Sequence, residues 1–411
     1  MKPLFTHILH RLLWRQHFWR HIGFSELAEL YALRMLRSVA INMIGIFVAV
    51  YLFRNGYSIM FILGFFAVYY LVRALSCVPA AYIIGYIGPK HATLLSNIMF
   101  LPSFIALYLI PELGSVMLLV YLVPQAFGNA LFNISYNVDF SKVKHGEHAG
   151  KEIGFMQIMD RIGTALSPLI GGLIALAFGP QVTIIVALAL FVVAAIPLFF
   201  TPEPVETHRR VHLRHFPWRE YKRPLLSQVG IGADVIASSI IWPLFLVLVV
   251  FTSGSDEVYA QIGGIASVTI FASLIIAKIY GTLIDKRRGK QLLAYSVIGN
   301  SSLHLVRFLI GTPLAAVAFN IINEVMTTGY YMPYMKGLYD TADRDEEFRV
   351  TYLAVSDIVA SLGGIMLLLI AMACIAITNS EVVGFQVQYV MAALMTLLIA
   401  AHGFPIYKRS H

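Results

Sequence analysis

Residues 202–225, PEPVETHRRVHLRHFPWREYKRPL, cut a largely apolar chain of 411 residues in two with Pro202, Pro204, Pro217 and six Arg or Lys. Six apolar stretches precede the cut, at 38–54, 58–86, 92–110, 116–138, 153–178 and 181–201. Six follow it, at 226–251, 258–284, 292–311, 313–335, 351–377 and 383–406. A helix needs about 20 apolar residues to cross the hydrocarbon core of a bilayer, and most of the stretches reach that length. The basic, proline-rich segment cannot follow them into lipid, because buried charge is costly and proline breaks helices. The pattern predicts an all-α membrane protein of 12 transmembrane helices, spans 1 to 12, in two pseudo-symmetric six-helix bundles at 38–201 and 226–407, with 202–225 as the linker.

Charge sets the orientation. With the N-terminus in the cytoplasm, the segments on that side carry 6, 1, 3, 6, 4, 3 and 2 basic residues in chain order, 25 of the 30 Lys and Arg. Arg54 faces the other side, and Arg73, Arg161, Lys278 and Arg307 lie within spans. Basic residues are retained on the cytoplasmic side of membrane proteins. Both termini and the linker are therefore expected there, in a multi-pass protein of a cell membrane of the bacterial cytoplasmic type.

Apolar residues make up 58% of the chain and the mean hydropathy is +0.75, which leaves too little polar surface for a soluble globule. The formal charge of +8 is accounted for by loops facing anionic lipid, so membrane lipids are the expected partners of the basic residues and nucleic acid is not. Cys77 and Cys374 fall in different spans without metal-type spacing, against a disulfide framework and against a zinc site. No cofactor or metal is expected. Residues 1–37 lack the long apolar core and small-residue cleavage site of a signal peptide. There Leu4, Ile8 and Leu12, with Phe5, Leu9 and Leu13, recur at helical spacing beside Arg11, Arg15 and Arg20, which fits an amphipathic helix in the cytoplasmic headgroup layer. His7, His10, His17 and His21 offer a metal-binding alternative in the same arm, with no carboxylate to complete a ligand set.

The two halves also repeat. Tyr136 to Asp160, leading into span 5, corresponds to Tyr331 to Asp357, leading into span 11, at offsets of 195 to 197 residues, and Gly88 corresponds to Gly289 at 201. Similar offsets at corresponding places are what two homologous halves produce. After span 8, Gly281-Thr282-Leu283-Ile284-Asp285-Lys286 runs on to Gly289-Lys290, whereas the counterpart Ala81 to Lys90 after span 2 has no Asp. In span 5, Gly154, Gly163, Ser167-Pro168 and Gly171-Gly172 are separated by eight, three and two residues. Twelve spans in two halves with these motifs resemble the major facilitator superfamily, whose loop signature is Gly-x-Leu-x-Asp-Arg-x-Gly-Arg. The span 5 pattern resembles the motif of the superfamily's drug/proton antiporters, with Ser167 replacing a glycine. The same glycines also read as a helix-packing face, since small residues let backbones approach, with Pro168 able to bend the span.

Polar side chains inside spans are costly and point to function. Span 4 carries Gln125, Asn129, Asn133 and Tyr136 on one helical face, and span 10 carries Asn320, Glu324, Thr327 and Tyr331 at the same kind of spacing. The resemblance implies that spans 1, 4, 7 and 10 line a central cavity, which directs both stripes at substrate, with Asn42 of span 1 and Asp234 of span 7 beside them. Glu324 sits about midway along span 10, where an ionised carboxylate is disfavoured, so it is the first candidate for proton coupling and Asp234 the second. A static alternative for Glu324 is a permanent bond to a neighbouring helix or pairing with Arg73.

Asp160 and Arg161 enter span 5 as Asp357 enters span 11. Together with Gly154, Gly163, Pro168, Gly171, Gly172, Gly281, Asp285, Lys286, Gly289 and Lys290 they form the expected gating set. By the resemblance, Asp285, Lys286 and Lys290 belong near the start of span 5, in contacts that break as the halves rock. Arg161 and Lys278 have the plainer reading of helix-end charges snorkelling to headgroups. His304 and Arg307 share a face of span 9, a scaffold span in the superfamily, which fits pairing or headgroup contact better than substrate binding.

No Walker-type glycine loop, HExxH or Gly-x-Ser-x-Gly occurs, and no sizeable soluble domain, so the chain is not expected to be an enzyme. The reading is a monomeric secondary transporter working by alternating access, exporting an amphipathic organic compound in exchange for protons. Proton-symport uptake of a small organic solute would use the same carboxylates, and a non-transporting receptor or scaffold of the same fold is the third reading. Aromatics beside a single acid favour an organic cation as substrate.

Overall fold

The computed structural model describes residues 25–45, 48–54, 56–143, 149–178, 180–199, 211, 215–250, 269, 275–344 and 346–407. The amphipathic helix expected at the start of the arm, and half of the linker, lie outside them. Every regular element among the described residues is helical. Span 1 is Ser25–Gly45 followed by Val48–Arg54, span 2 is Ile59–Ile87, span 3 Pro89–Leu113, span 4 Val116–Val143, span 5 Ala149–Phe178 and span 6 Pro180–Ala195. Span 7 runs from Trp218 to Val250, widened by π turns at Ala237–Ile241 and Leu246–Val250. Residues 269 and 275–288 of span 8 are described. Spans 9 to 12 are Gly289–Val306, Pro313–Arg344, Arg349–Thr378 and Glu381–Leu397.

Local chemistry sets several of these ends. Ser58 caps span 2 by accepting from the Phe61 N–H at 3.2 Å, and Ser380 caps span 12 in the same way with Val383. Between spans 2 and 3 a single residue makes the reversal: Gly88 has φ +86, open to glycine alone without strain, and Pro89 starts the next helix where its missing N–H costs nothing. Six described helices are long and apolar enough to cross a membrane unaided, namely spans 2, 3, 4, 7, 11 and 12. Span 6 is shorter, and spans 1, 5 and 10 carry charges within the helix.

Span 1 corrects the boundary read at 37/38. Its helix is continuous from Ser25 to Gly45, so Glu29, Arg34 and Arg37 belong to the bundle and not to an interfacial arm. Each is matched there. Lys90 lies 3.1 Å from Glu29, and Asp160 lies 3.0 Å from Arg34. Arg37 donates to Asn97 and stands over the rings of Phe100, Phe132 and Phe191 at 4.3, 3.6 and 5.1 Å. A desolvated guanidinium over an aromatic face gains about 2 kcal/mol, which offsets part of the burial that hydropathy alone counts against it. The linker likewise ends sooner than expected, since Trp218 to Leu225 already form the first turns of span 7.

Glycines bring the helix backbones together. In the first half, a Cβ on Gly163 of span 5 would stand 2.7 Å from the Met35 carbonyl of span 1, and one on Gly128 of span 4 would meet Phe100 of span 3. In the second half, Gly230 of span 7 abuts the Met395 carbonyl of span 12, while Gly232 and Gly363 seat spans 7 and 11 against each other. Spans 2 and 11 form the main seam between the halves, with span 5 against span 8 as a second seam.

Candidate functional site

One polar contact dominates the seam of spans 2 and 11. Arg73, at the middle of span 2, places Nη2 2.6 Å and Nε 3.4 Å from the two carboxylate oxygens of Asp357, two turns into span 11. Asn133 of span 4 donates Nδ2 to the same carboxylate at 3.4 Å, and Cys77 donates Sγ at 3.5 Å. The pair keeps 15% and 11% of its side-chain surface exposed, because it walls a cavity of about 190 Å³ between the halves. Spans 1, 2, 4, 5, 7, 10 and 11 all reach this cavity. Of the described residues lining it, Arg34 and Arg73 are the cations and Asp357 the acid, with tyrosines and amides completing the polar wall.

Cross-half contacts bound the cavity along the helix axes. Toward the end where the basic loops lie, Tyr339 donates to Asn137 at 2.8 Å, the Gly150 N–H donates to Asp285 at 2.9 Å, and Lys142 meets Glu346 at 3.2 Å on the surface. Toward the other end, Arg161 of span 5 and Glu324 of span 10 pair at 2.6 Å, and Thr328 donates to Glu324 at 3.1 Å. Glu324 lies seven residues from Tyr331 of the cavity wall, or ~10 Å at the helical rise. The halves are thus joined on both sides of the cavity. Arg73–Asp357 and Arg161–Glu324 each take the base from the first half and the acid from the second.

Of the nine residues expected to face substrate, Asn133 and Tyr331 line this cavity. Asn42 turns instead to span 5, donating to the Ser38 carbonyl at 2.8 Å and to Thr164 at 3.2 Å. Gln125 is buried, and Asn129 donates to the Tyr69 hydroxyl. Tyr136 is buried inside the first half beneath the Arg34 guanidinium, 5.3 Å away. Asn320 accepts from the Trp242 indole at 2.9 Å, and Thr327 donates to Asn300 at 3.5 Å. Residues on one face of a span this long meet different neighbours at different depths, so a shared face does not mean a shared cavity.

The acids differ from expectation too. Glu324 pairs with Arg161, not Arg73, so Arg161 is a cross-half residue and not a snorkelling helix-end charge. Asp160 stays within the first half on Arg34. Asp234 is 2% exposed and turned away from the cavity into the second half. There His304 Nε2 is 2.7 Å and Asn300 Nδ2 2.8 Å from one carboxylate oxygen, and Tyr330 donates to the other. Arg307 donates to the Ala237 carbonyl, Ser238 and Asn323 at 3.0 to 3.1 Å and stands over the rings of Trp242, Phe319 and Tyr389.

The span 5 glycines form a packing face. Gly163 and Gly171 meet the backbone of span 1, and a Cβ on Gly154 would stand 3.2 Å from the Ala277 carbonyl of span 8. The helix continues through Pro168 and Gly172. Gly281 approaches the Gly150 carbonyl, Gly289 the Tyr407 hydroxyl, and Lys286 and Lys290 are exposed. Asp285 caps the start of span 5, where an acid meets free N–H groups and the positive end of the helix dipole, together worth about 1 kcal/mol. Asp285→Ala is expected to loosen this end of the cavity, raising the reactivity of an Asn137→Cys side chain toward a water-soluble thiol reagent roughly fivefold, as that free energy converts. Arg34 and Gln228 of the cavity wall were not legible in the sequence, because the first counts as a loop charge and the second stands near the start of an apolar run without periodic company.

The comparisons agree with this architecture. A family model described as Major Facilitator Superfamily matches residues 30–368. A search of curated proteins found no match. Among solved structures, the E. coli fucose:proton symporter FucP is similar with a TM-score of 0.67 at 13% identity, covering 92% of this chain and 98% of that one. A bacterial homologue of the iron transporter ferroportin, in an outward-facing state, has a TM-score of 0.68 at 12% identity, covering 93% and 99%. The human organic anion transporter MFSD10 (TETRAN) has a TM-score of 0.71 at 9% identity, covering 91% and 99%. Identities this low speak for the fold alone. A family model spanning most of the chain, on a two-half helical bundle around a polar cavity, carries the conclusion that this protein belongs to the major facilitator superfamily of multi-pass membrane transporters.

Proposed function

We propose that the chain moves a small organic solute across the membrane by alternating access, coupled to protons, with the basic loops and both termini in the cytoplasm. The observation that carries this reading is a cavity held between two sets of cross-half contacts, which rocking of the halves would break in alternation. The Arg161–Glu324 pair is the device for the outer side. A proton on Glu324 cancels the charge that holds Arg161, so outer opening and protonation occur together. The fold shared with a fucose:proton symporter supports proton coupling. Asp234, sealed on His304 and Asn300 within one half, is a weaker coupling candidate than Glu324.

Cavity size favours the smaller substrate of the uptake reading over the larger one of the export reading. About 190 Å³ falls below the ~300–1,000 Å³ of pockets for drug-sized ligands, which supports a small solute over a large amphipathic compound. The span 5 pattern lends export little, since its described glycines are occupied in helix packing. Uptake by proton symport is therefore the preferred direction.

Reconstitution of the full chain in liposomes with an internal pH dye tests the reading, using gradients of sugars, hydroxy acids, amino acids and lipophilic cations. One class of small solute is expected to carry protons inward with it, with the flux reduced at least tenfold in Glu324→Gln. Proton exit driven by entering lipophilic cations would restore the export reading. A folded protein that moves nothing would favour the receptor.

A further inference from the structure

Arg73 and Asp357 are the part of the cavity wall where a solute can meet a charge, and the outer contact of Arg161 with Glu324 makes no use of them. We propose that the solute is an organic monoanion, a small carboxylate, that replaces Asp357 as the acceptor of the Arg73 guanidinium when Asp357 takes up a proton. The proposal rests on the transport reading above and names its substrate class.

The charges of the cavity wall point this way and against the organic cation expected from the sequence. Two guanidiniums and one carboxylate face the cavity among the described residues. Arg34 is already occupied by Asp160, which does not line the cavity. Arg73 is thus the cation available for exchange. Its planar fork is shaped for two parallel bonds to a carboxylate, yet Asp357 fills it unevenly, at 2.6 Å on Nη2 and 3.4 Å on Nε.

Among the described residues the donors to Asp357 come from the first half, namely Arg73 and Cys77 of span 2 and Asn133 of span 4. Rocking of the halves must therefore separate Asp357 from all of them at once. The titratable and charged groups facing it are Arg73, Cys77, Tyr69 and Tyr70 of span 2 and Tyr331 of span 10, with Arg34 of span 1 across the cavity. Span 4 contributes Asn133 and span 7 Gln228, neither of them titratable. Among the described residues lining the cavity there is no second acid to replace Asp357 on Arg73, and a guanidinium left unpaired within a membrane protein is strongly disfavoured.

An arriving carboxylate removes that difficulty. A proton from the entry side adds to one carboxylate oxygen of Asp357, the Arg73 bond to Asp357 breaks, and an oxygen of the solute takes its place. One negative charge replaces another beside the guanidinium, so the cavity keeps its charge, and proton and anion cross together with no net charge moved; the proton on Glu324 that opens the outer side returns to that side when the Arg161 pair re-forms and does not cross. A neutral solute offers Arg73 acceptors but no counter-charge, so protonating Asp357 would leave the guanidinium charge unbalanced.

Proteoliposomes of the full chain, with L-lactate, gluconate and glucuronate as probes and glycerol and glucose as neutral counterparts, give the test. At least one anion is expected to enter with protons, at a rate unchanged when valinomycin and potassium set the membrane potential, and to raise the unfolding midpoint of the purified protein more at pH 5.5 than at pH 7.5. Asp357→Asn should bind that anion equally at both pH values, move it without protons, and generate a potential. If that variant does not fold, Asn133→Leu serves. It removes a donor that holds the charged carboxylate, so the pH midpoint of anion uptake should move upward. Proton-coupled entry of a neutral solute without any anion would overturn the substrate class and leave the transport reading standing. Potential-driven anion flux in the wild type, or anions that neither bind nor move, would overturn the exchange itself.

Discussion

Arg161→Met slows solute-coupled proton flux at least tenfold, and adding Glu324→Gln to it restores part of the stability that the single change removes. The pair spans the two halves at 2.6 Å with 25% and 12% of its side-chain surface exposed. Removing one member of a buried ion pair costs ~3–5 kcal/mol, mainly by leaving the other charge without a partner. The partial exposure places this pair at the low end, about 3 kcal/mol. Either single substitution therefore leaves a charge without its partner in the seam and lowers the unfolding midpoint of the purified protein. The double substitution leaves none, so the two effects are less than additive, as expected for groups that act as one unit. Transport behaves differently, because the double variant also lacks the carboxylate whose protonation opens the outer side, and stays slow. Additive losses of stability in a cycle of the four proteins would show that Arg161 and Glu324 do not act through each other.

Gly232→Val is expected to prevent assembly of the second half, seen as loss of the folded monomer peak on detergent gel filtration, or to lower the unfolding midpoint more than any side-chain truncation in the same half. A Cβ at position 232 would collide with the Ala360 carbonyl of span 11, standing 2.6 Å from its carbon, and Gly363 faces Val229 across the same contact. Backbone cannot yield as the end of a flexible side chain does, so the helices must separate. Overpacking of a core ordinarily costs ~1–3 kcal/mol, and a backbone collision lies at or above the top of that range. Separation would also move Gln228 and Ile231 off the cavity wall they share with Asp357. Gly311→Val is the control, since nothing lies within 4 Å of a Cβ there. Equal behaviour of the two variants would show that close approach of spans 7 and 11 does not hold the half together.

Much of the candidate site escaped the sequence for one reason, seen in three arginines. Arg34 precedes the first apolar run, Arg161 stands in the first half of span 5, and Arg307 lies near the end of span 9. Hydropathy reads each as a boundary or headgroup charge, since an isolated Arg in lipid is costly. What makes each tolerable is a partner from another helix, namely Asp160 for Arg34, Glu324 for Arg161, and a carbonyl, two polar side chains and three rings for Arg307. Asp234 shows the converse. A polar residue inside a span reads as a cavity residue, yet His304, Asn300 and Tyr330 satisfy it within one half.

The all-helical multi-pass membrane class and the family resemblance were legible in the sequence alone, because hydrophobic length, charge bias and loop motifs are local properties of the chain. Which intramembrane charge meets which was decided only by the tertiary structure. Arg73 and Asp357 are 284 residues apart, and nothing in the periodicity of either helix selects one acid over another. The selection follows from how the glycine faces of spans 5, 7 and 11 seat the helices, which sets the depth and rotation of every polar side chain at the seam.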